Sequence, residues 1–229
     1  MSDAVSWHTD IAQDFAARYL RSPAFREREI VWRELIARFN KRGGSVLDAG
    51  CGSGVMSALA AREAGRVLAF DASAAMLQLA IQTVAQQGLG NVELGLGALK
   101  DDALIKGQRF DLILCSSVLE YIEDWWSAFD WLAGALTPGG TILFSMPNGD
   151  SLYRRAERQL FRFTGRPAYY RHVRCVPRLS EVAHGLEARG FTVDDHRFYA
   201  RAPLLSRVLR RFKLARFSDT LFVVACRRS

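Results

Sequence analysis

A short apolar run that ends in a carboxylate and a glycine-rich turn is the feature that most constrains this chain. It reads Val46-Leu47-Asp48-Ala49-Gly50-Cys51-Gly52-Ser53-Gly54. The apolar part is typical of a buried strand, and the glycines let the backbone of the turn approach a bound molecule closely. A helix that begins near Val55 would point its positive N-terminal end at the same place. The segment therefore predicts a strand, a turn and a helix, with a ligand site at the turn.

The position of Asp48 narrows the choice of ligand. Dinucleotides place a pyrophosphate at such turns, and a neighbouring carboxylate would repel it. The same carboxylate suits a ligand that carries an ammonium and a sulfonium, such as S-adenosylmethionine. The dinucleotide pattern G-x-G-x-x-G is also broken, because its sixth position is Val55 and the last glycine, Gly54, comes one place early. Both observations disfavour an NAD-dependent oxidoreductase.

A second carboxylate ends the next apolar run, which covers residues 66–70. Asp71 follows that run directly. An acid at the tip of a second strand can accept hydrogen bonds from both ribose hydroxyls of an adenosine. We therefore expect Asp48 and Asp71 to belong to one cofactor cleft.

The rest of the chain alternates short apolar runs with helical stretches. Strands are predicted near 45–49, 66–70, 91–95, 110–115, 140–145, 191–199 and 219–226. This alternation predicts an α/β fold with a mostly parallel sheet and helices on both faces. Before the first strand, Ser22 and Pro23 indicate the start of a helix that ends at Phe39. Its predicted buried stripe is Phe25, Ile30, Trp32, Leu35, Ile36 and Phe39.

These residues resemble the class I S-adenosylmethionine-dependent methyltransferases. Residues 110–115 match the family's fourth strand, residues 136–143 lead into its fifth, and Gly190-Phe191 precedes its sixth. The resemblance implies a Rossmann-like three-layer sandwich whose seven-stranded sheet has the order 3-2-1-4-5-7-6, with the last strand antiparallel. It implies a single domain over residues 1–229, in which residues 1–42 form an N-terminal helical cap.

The resemblance also assigns cofactor contacts and argues against a metal ion. The family usually has Gly-Asp-Ala after its third strand, whereas this chain has Gly97-Ala98-Leu99, which leaves a backbone amide for the adenine. Residues 117–122 are most similar to the ubiquinone-biosynthesis O-methyltransferase branch. Its metal-dependent members carry Glu-x-x-Glu-His there, and this chain has Ser117, Glu120 and Tyr121, so no metal is expected. The predicted cofactor-binding residues are Asp48, Ala49, Gly50, Cys51, Gly52, Asp71, Ala72, Met76, Ala98, Leu99, Cys115 and Ser116.

Charge is distributed unevenly along the chain. Residues 1–150 carry 13 basic and 18 acidic side chains, whereas residues 151–216 carry 16 basic and 5 acidic ones. The basic part holds the two places where the family inserts substrate elements, and residues 149–178 and 200–217 are predicted to form a substrate lid. Each contains an amphipathic basic helix, with Leu152, Ala156, Leu160 and Phe163 on one face of the first and Leu205, Val208, Leu209 and Phe212 on one face of the second. Such helices rest on anionic membranes, bind phosphorylated substrates or simply close a pocket, and the sequence leaves these alternatives open.

The predicted reaction is methyl transfer to a small molecule, most simply to a hydroxyl of an aromatic, lipidic or anionic acceptor. His172 lies in the predicted lid and is the candidate general base, because histidine titrates near neutral pH. A non-catalytic nucleoside-binding module and an RNA methyltransferase remain alternatives, although no RNA-binding module accompanies the arginines. Cys51, Cys115, Cys175 and Cys226 form no C-x-x-C pair, and no apolar run reaches the length of a membrane span. We expect a cytoplasmic protein, with peripheral membrane contact left open.

Overall fold

The alternating apolar runs form one seven-stranded sheet in the computed structural model, which describes residues 3–202 and 205–228. The strands are β1 Ser45–Ala49, β2 Arg66–Asp71, β3 Val92–Leu96, β4 Phe110–Ser116, β5 Leu136–Pro147, β6 Phe191–Tyr199 and β7 Leu221–Arg228. Their order is β3-β2-β1-β4-β5-β7-β6. Strand β7 is antiparallel to both of its neighbours, and the other pairs are parallel. The predicted fold class is confirmed.

Helices cover both faces of this sheet. The N-terminal helices are α1 Asp3–Asp10, α2 Ala12–Arg21 and α3 Pro23–Phe39. The crossover helices are α4 Val55–Ala61, α5 Ala74–Gln86, α6 Asp102–Ile105 and α7 Trp125–Gly134, and the later ones are α8 Leu152–Thr164, α9 Leu179–Glu187, α10 Leu205–Arg211 and α11 Ala215–Ser218. Across the described residues, no helix combines the length and the apolarity that a bilayer span requires.

Two apolar cores lie on opposite faces of the sheet. Successive side chains of a strand point to opposite faces, so Val46 and Leu112 belong to one core while Leu47 and Ile113 belong to the other. All four are fully buried. Because helices close both faces, the carboxyl ends of the parallel strands provide the edge at which a ligand can bind.

Helix α3 has the predicted bounds but a different buried face. Its buried residues are Arg28, Trp32, Leu35 and Ile36, which repeat at helical spacing. Ile30 was predicted to be buried and is instead 51% exposed, because it lies off the stripe that Arg28 begins. Ser22 precedes the helix as expected, but its side chain makes no capping hydrogen bond.

Candidate functional site

A cavity of about 960 Å³ lies at the carboxyl ends of β1, β2 and β4. One wall is the turn after β1 together with the end of β2. The opposite wall comes from helix α8 and the segment that follows it, and helices α1 to α3 contribute the third side. The volume lies at the upper end of the range for small-molecule sites, so a nucleoside and a second small molecule can share it.

The turn after β1 is held by backbone contacts that require glycine. The amides of Gly50 and Cys51 both donate to the carbonyl of Phe70, at 2.9 Å each. Gly50 has a φ of +77°, and a Cβ at this position would lie 2.4 Å from Cγ2 of Val118. The turn is therefore pressed against the loop that follows β4, and a side chain at Gly50 would separate them.

Asp48 is a buried carboxylate with an unused acceptor atom. Its side chain is almost completely buried, and Oδ2 accepts a hydrogen bond from Oγ of Ser57 at 2.5 Å. Oδ1 has no hydrogen-bond partner among the described residues. Burial raises the pKa of this carboxyl to about 6, while Ser57 and Arg28 act in the opposite direction. A buried oxygen without a donor is costly, so this site fits a ligand that carries a positive charge or an N–H group.

Asp71 lies at the tip of β2 and holds the turn from the other side. Its Oδ2 accepts a hydrogen bond from the amide of Gly52 at 2.8 Å, and its Oδ1 accepts one from the amide of Ser73 at 2.8 Å. Burial raises the pKa of Asp71, and these backbone donors lower it. Each carboxylate oxygen retains acceptor capacity, which suits the two hydroxyls of a ribose.

Most of the predicted cofactor residues meet in this cavity. Its lining includes Asp48, Gly50, Cys51, Gly52, Asp71, Ala72, Met76, Ala98, Leu99 and Ser116. Within the described part of the chain, Ala49 and Cys115 are not among the lining residues. Both are fully buried in the core beneath the cavity, because their side chains point into the sheet–helix interface.

Sequence reasoning missed Arg28, a buried cation that joins helix α3 to the end of β4. Its Nη2 donates to the hydroxyl of Ser116 at 2.7 Å and to the backbone carbonyl of Ser116 at 3.1 Å. Burial lowers the pKa of Arg28, but nearby Tyr19, Tyr199 and Glu120 raise it by more, so the guanidinium stays charged. The sequence signal for this residue was an arginine at helical spacing from Trp32 and Leu35, on the apolar face of the helix.

The loop after β4 places a third carboxylate, Glu120, in the cavity wall. Glu120 lies in the short 3-10 helix Leu119–Tyr121 and is 3% exposed. Its Oε2 has no hydrogen-bond partner within the described ranges, and burial raises its pKa to about 7. Among the described residues, no group of three or more His, Cys, Asp or Glu side chains is placed to hold a metal ion.

The structure separates the two histidines near the site. His172 stacks on the ring of Trp7 at a centroid distance of 5.4 Å and, within the described residues, does not line the cavity. The histidine that does line it is His8 in α1, whose Nδ1 lies 2.7 Å from the carbonyl of Ala4. Burial lowers the pKa of His8, and the Asp71 carboxylate opposes that effect. Trp7 therefore stands between His172 and the cavity contents.

Helix α8 presents its polar side to the cavity. Arg154 donates to the carbonyl of Thr220 at 3.0 Å and to the hydroxyl of Tyr169, and it lies 3.5 Å from Glu157. Tyr169 in turn donates to Glu157 at 3.0 Å. These contacts dock the polar side of α8 onto the body of the protein and leave its apolar side facing outward.

Known proteins with the same domain identify the family. Residues 24–196 match a family model described as a methyltransferase domain. The chain belongs to this methyltransferase family. It is 28% identical over 163 residues to a ubiquinone biosynthesis O-methyltransferase of Acinetobacter baylyi, a match that covers 67% of the chain and 65% of the relative. It is 34% identical over 104 residues to the enzyme of the same name from Serratia proteamaculans, covering 45% of the chain and 43% of that relative.

Solved structures of methyltransferases share the fold. The magnesium protoporphyrin IX methyltransferase of Synechocystis PCC 6803, with bound S-adenosylhomocysteine, superposes with a TM-score of 0.74 at 17% identity and covers 98% of this chain and 97% of its own. The N-methyltransferase NodS of Bradyrhizobium japonicum, also in complex with S-adenosylhomocysteine, gives a TM-score of 0.71 at 19% identity, covering 99% of both chains. The resemblance inferred from the sequence is confirmed at the level of family and fold.

Proposed function

We propose that this chain transfers a methyl group from S-adenosylmethionine to a hydroxyl of a small aromatic or lipidic molecule. The observation that supports this most is a pair of carboxylates, the buried Asp48 and the half-buried Asp71, beside a glycine turn at the carboxyl end of the sheet. The relatives named O-methyltransferases support oxygen as the acceptor atom.

The residues around the turn fit this cofactor by charge and by hydrogen-bonding capacity. The unpaired oxygen of Asp48 would accept from the ammonium of the methionine moiety, and Asp71 would accept from the ribose hydroxyls. Met76 would pack on the adenine, and the backbone at Ala98 and Leu99 would offer it an amide. When bound, the cofactor supplies an electrophilic methyl group on sulfur.

The protein's contribution to the reaction is alignment and exclusion of water. A displacement at carbon needs the acceptor oxygen in line with the methyl group, and holding both molecules in one cavity provides that alignment. Trp7, Phe15 and Tyr19 line the cavity from helices α1 and α2, so the N-terminal helical cap would cover the cofactor. His172 as the base requires Trp7 to move aside, which weakens that candidate.

Calorimetry with S-adenosylmethionine and S-adenosylhomocysteine tests the cofactor assignment. We expect wild-type protein to bind both, and Asp48→Asn and Asp71→Asn to weaken binding by at least tenfold through loss of charged acceptors. Asp130→Asn is the matched control. Asp130 lies on helix α7, is exposed and pairs with Arg189. Absence of binding by the wild type would refute the assignment. Tight binding with no methyl transfer to any acceptor in a cell extract would instead support a non-catalytic nucleoside-binding module.

A second surface bears on where the acceptor comes from. On helix α8, Leu152, Leu160 and Phe163 are 48%, 53% and 86% exposed, and Ala156 between them is exposed too. The neighbouring segment between α10 and α11 exposes Phe212 and Leu214. The hydroxyl of Ser151 donates to the carbonyl of Ser218, so the start of α8 is tied to α11, the helix that directly follows Phe212 and Leu214 in the chain.

The same two segments also expose cationic side chains. Arg155, Arg158 and Arg162 are exposed on α8, and Arg207, Arg211 and Lys213 are exposed near α10. The residues Pro203 and Leu204 and the side chains of Leu205 and Val208, which were predicted to extend the second amphipathic helix, lie outside the described residues. Exposed apolar side chains with exposed cations on the same segments match an anionic bilayer surface, into which apolar groups insert while the cations contact headgroups.

We therefore propose that residues 149–178 and 200–217 form both the lid and a peripheral contact with anionic membranes. Vesicle flotation tests the membrane contact: the protein should float with phosphatidylglycerol vesicles and not with phosphatidylcholine vesicles. A double variant with Leu160→Ser and Phe163→Ser should remain at the bottom of the gradient. Ile30→Ser serves as the control, since Ile30 is about as exposed as Leu160 but lies on α3. If the wild type stays at the bottom with phosphatidylglycerol at low salt, the helices serve only as a lid.

A further inference from the structure

The buried carboxylate of Glu120 lies in the cavity wall, and the cofactor contacts above leave it without a partner. It lines the cavity, is 3% exposed and carries an oxygen, Oε2, without a hydrogen-bond partner among the described residues. A buried carboxylate oxygen without a donor is costly to maintain. A bound molecule with an O–H group would supply the missing donor.

The backbone around Glu120 is fixed, so the carboxylate has a defined place relative to the glycine turn. The Glu120 carbonyl accepts hydrogen bonds from the amides of Arg174 at 2.7 Å and of Cys175 at 3.4 Å. Val118, two residues earlier, is the residue that touches Gly50. Glu120 thus stands beside the turn and opposite helix α8, where an acceptor would enter.

We propose that Glu120 is the general base of the reaction, accepting the proton of the acceptor hydroxyl as the methyl group is transferred. This inference rests on the proposed methyltransferase function and adds the residue that would make a hydroxyl group reactive as the methyl acceptor. The acceptor O–H bond breaks, its oxygen forms a bond to the methyl carbon, and the electron pair of the broken carbon–sulfur bond stays on sulfur. The proton resides on the Glu120 carboxyl and passes to water after the methyl ether leaves.

The charges around Glu120 suit this task. The groups that act on it or respond to it are Arg28 from α3, Arg154 from α8, Ser117 and Tyr121 from its own loop, Cys115 from β4 and Cys175 from the lid segment. Burial raises its pKa to about 7, and the two arginines and Ser117 limit that rise. A base with a pKa near the working pH is populated in its ionised form and still accepts a proton readily.

His8 is the competing base, since it also lines the cavity. Its Nδ1 is engaged by the carbonyl of Ala4, and its ring lies edge-on to Tyr121 at a centroid distance of 4.9 Å. The hydroxyl of Thr9, the next residue, lies 2.9 Å from that of Ser73, and the Asp71 carboxylate acts on His8, so the imidazole lies near the end of β2. Glu120 lies on the side of the lid and is therefore better placed for the acceptor.

The test measures transfer of a labelled methyl group from S-adenosylmethionine to catechol and to 4-nitrocatechol, whose hydroxyl is far more acidic. We expect the wild-type rate on catechol to rise with pH up to about 7 and then level off. Glu120→Gln should lower the rate on catechol by about 100-fold or more, and on 4-nitrocatechol by much less, because that acceptor is already ionised. Glu120→Asp should recover part of the rate, and Glu123→Gln, an exposed neighbour, should not change it.

Calorimetry with S-adenosylhomocysteine separates this inference from the proposed function. Unchanged binding by Glu120→Gln shows that the variant folds and retains the cofactor site. Three outcomes would overturn the role of Glu120 and leave the methyltransferase proposal standing. They are a wild type that binds S-adenosylhomocysteine but methylates neither catechol nor 4-nitrocatechol, a Glu120→Gln rate within threefold of wild type, and an equal loss of rate on both acceptors. Loss of rate in His8→Gln with Glu120→Gln unaffected would move the role to His8. A wild type that does not bind S-adenosylhomocysteine would refute the methyltransferase proposal itself.

Discussion

The two walls of the cavity differ in composition and in what holds them in place. The wall after β1 and β2 consists of glycines, small residues and two carboxylates, the buried Asp48 and the half-buried Asp71, and backbone amides hold it together. The wall from helix α8 consists of arginine, glutamate and tyrosine, joined by side-chain contacts. The first wall therefore depends on backbone geometry, whereas the second depends on side chains, which could exchange partners. A family of enzymes that share one methyl donor but differ in their methyl acceptors would need one wall of each kind.

The largest expected effect is on cofactor binding at the wall formed after β1 and β2. Gly50→Ala adds a Cβ within 2.4 Å of Val118 at a φ of +77°, so we expect cofactor affinity to fall by at least about 100-fold as the turn shifts. Gly88→Ala is the control, because Gly88 has a φ of +64° but no described atom within 4 Å of its added Cβ. Equal losses in both variants, measured by calorimetry with S-adenosylhomocysteine, would mean that backbone strain rather than contact with Val118 governs the site.

The next effect tests the outer side of the lid. Replacing Arg155, Arg158 and Arg162 by Gln should weaken binding to phosphatidylglycerol vesicles by about 100-fold, at roughly 1 kcal/mol for each charge. S-adenosylhomocysteine binding should not change. Replacing Arg33, Arg38 and Arg42 by Gln removes the same charge from other surfaces. If the second triple variant loses vesicle binding equally, net charge alone drives the attraction and α8 has no special role.

Neighbouring arginines on α8 should differ sharply in their effect on stability. Arg154 is 13% exposed and holds Glu157 and Tyr169, so Arg154→Gln should destabilise the fold by about 2 kcal/mol and lower Tm by about 4–8 °C. Arg155 is exposed, and Arg155→Gln should change stability by less than about 0.5 kcal/mol. Thermal unfolding of the two variants decides whether the lid is docked as the structure has it; similar Tm values would argue against that docking.

The smallest expected effect is the pH dependence of cofactor affinity at the wall formed after β1 and β2. The pKa of Asp48 is about 6, so this side chain is ionised at pH 7 and becomes neutral as the pH falls through 6. S-adenosylmethionine affinity should therefore decrease below pH 6, by at most about tenfold per pH unit, because the positive ligand loses a charged partner. Asp48→Asn should bind weakly with a flatter pH dependence. A wild-type affinity that is constant from pH 7 to pH 5 would exclude Asp48 as the charged contact.

Much of the part of the site that would bind the methyl donor could be predicted, because its residues are close together in the sequence. Asp48 and the Gly50–Gly54 turn lie within seven residues, and Asp71 ends the next strand. Strand tips of a parallel sheet meet at one edge, so the two acids converge wherever the sheet forms. The sequence also predicts Ala49 and Cys115 as cofactor contacts because of their positions on β1 and β4, but strand alternation turns their side chains away from the cavity.

The acceptor side depends on contacts between distant segments. Arg28 meets Ser116 across 88 residues of sequence, and His8 reaches the cavity only because helix α1 packs over it. His172 was favoured because it belongs to the lid, yet Trp7 covers it. Sequence spacing carries no information about which of these segments pack together, since helix orientation is decided by the whole core.

Helix α8 illustrates the boundary between the two kinds of information. The sequence by itself determined a basic helix in this segment and its apolar stripe of Leu152, Ala156, Leu160 and Phe163, because helical periodicity is a local property. The same stripe could equally have packed inward. Only the tertiary structure decided that it faces solvent, because Arg154, Glu157 and Tyr169 satisfy one another's charges and hydrogen bonds on the inner side and leave the apolar residues outside.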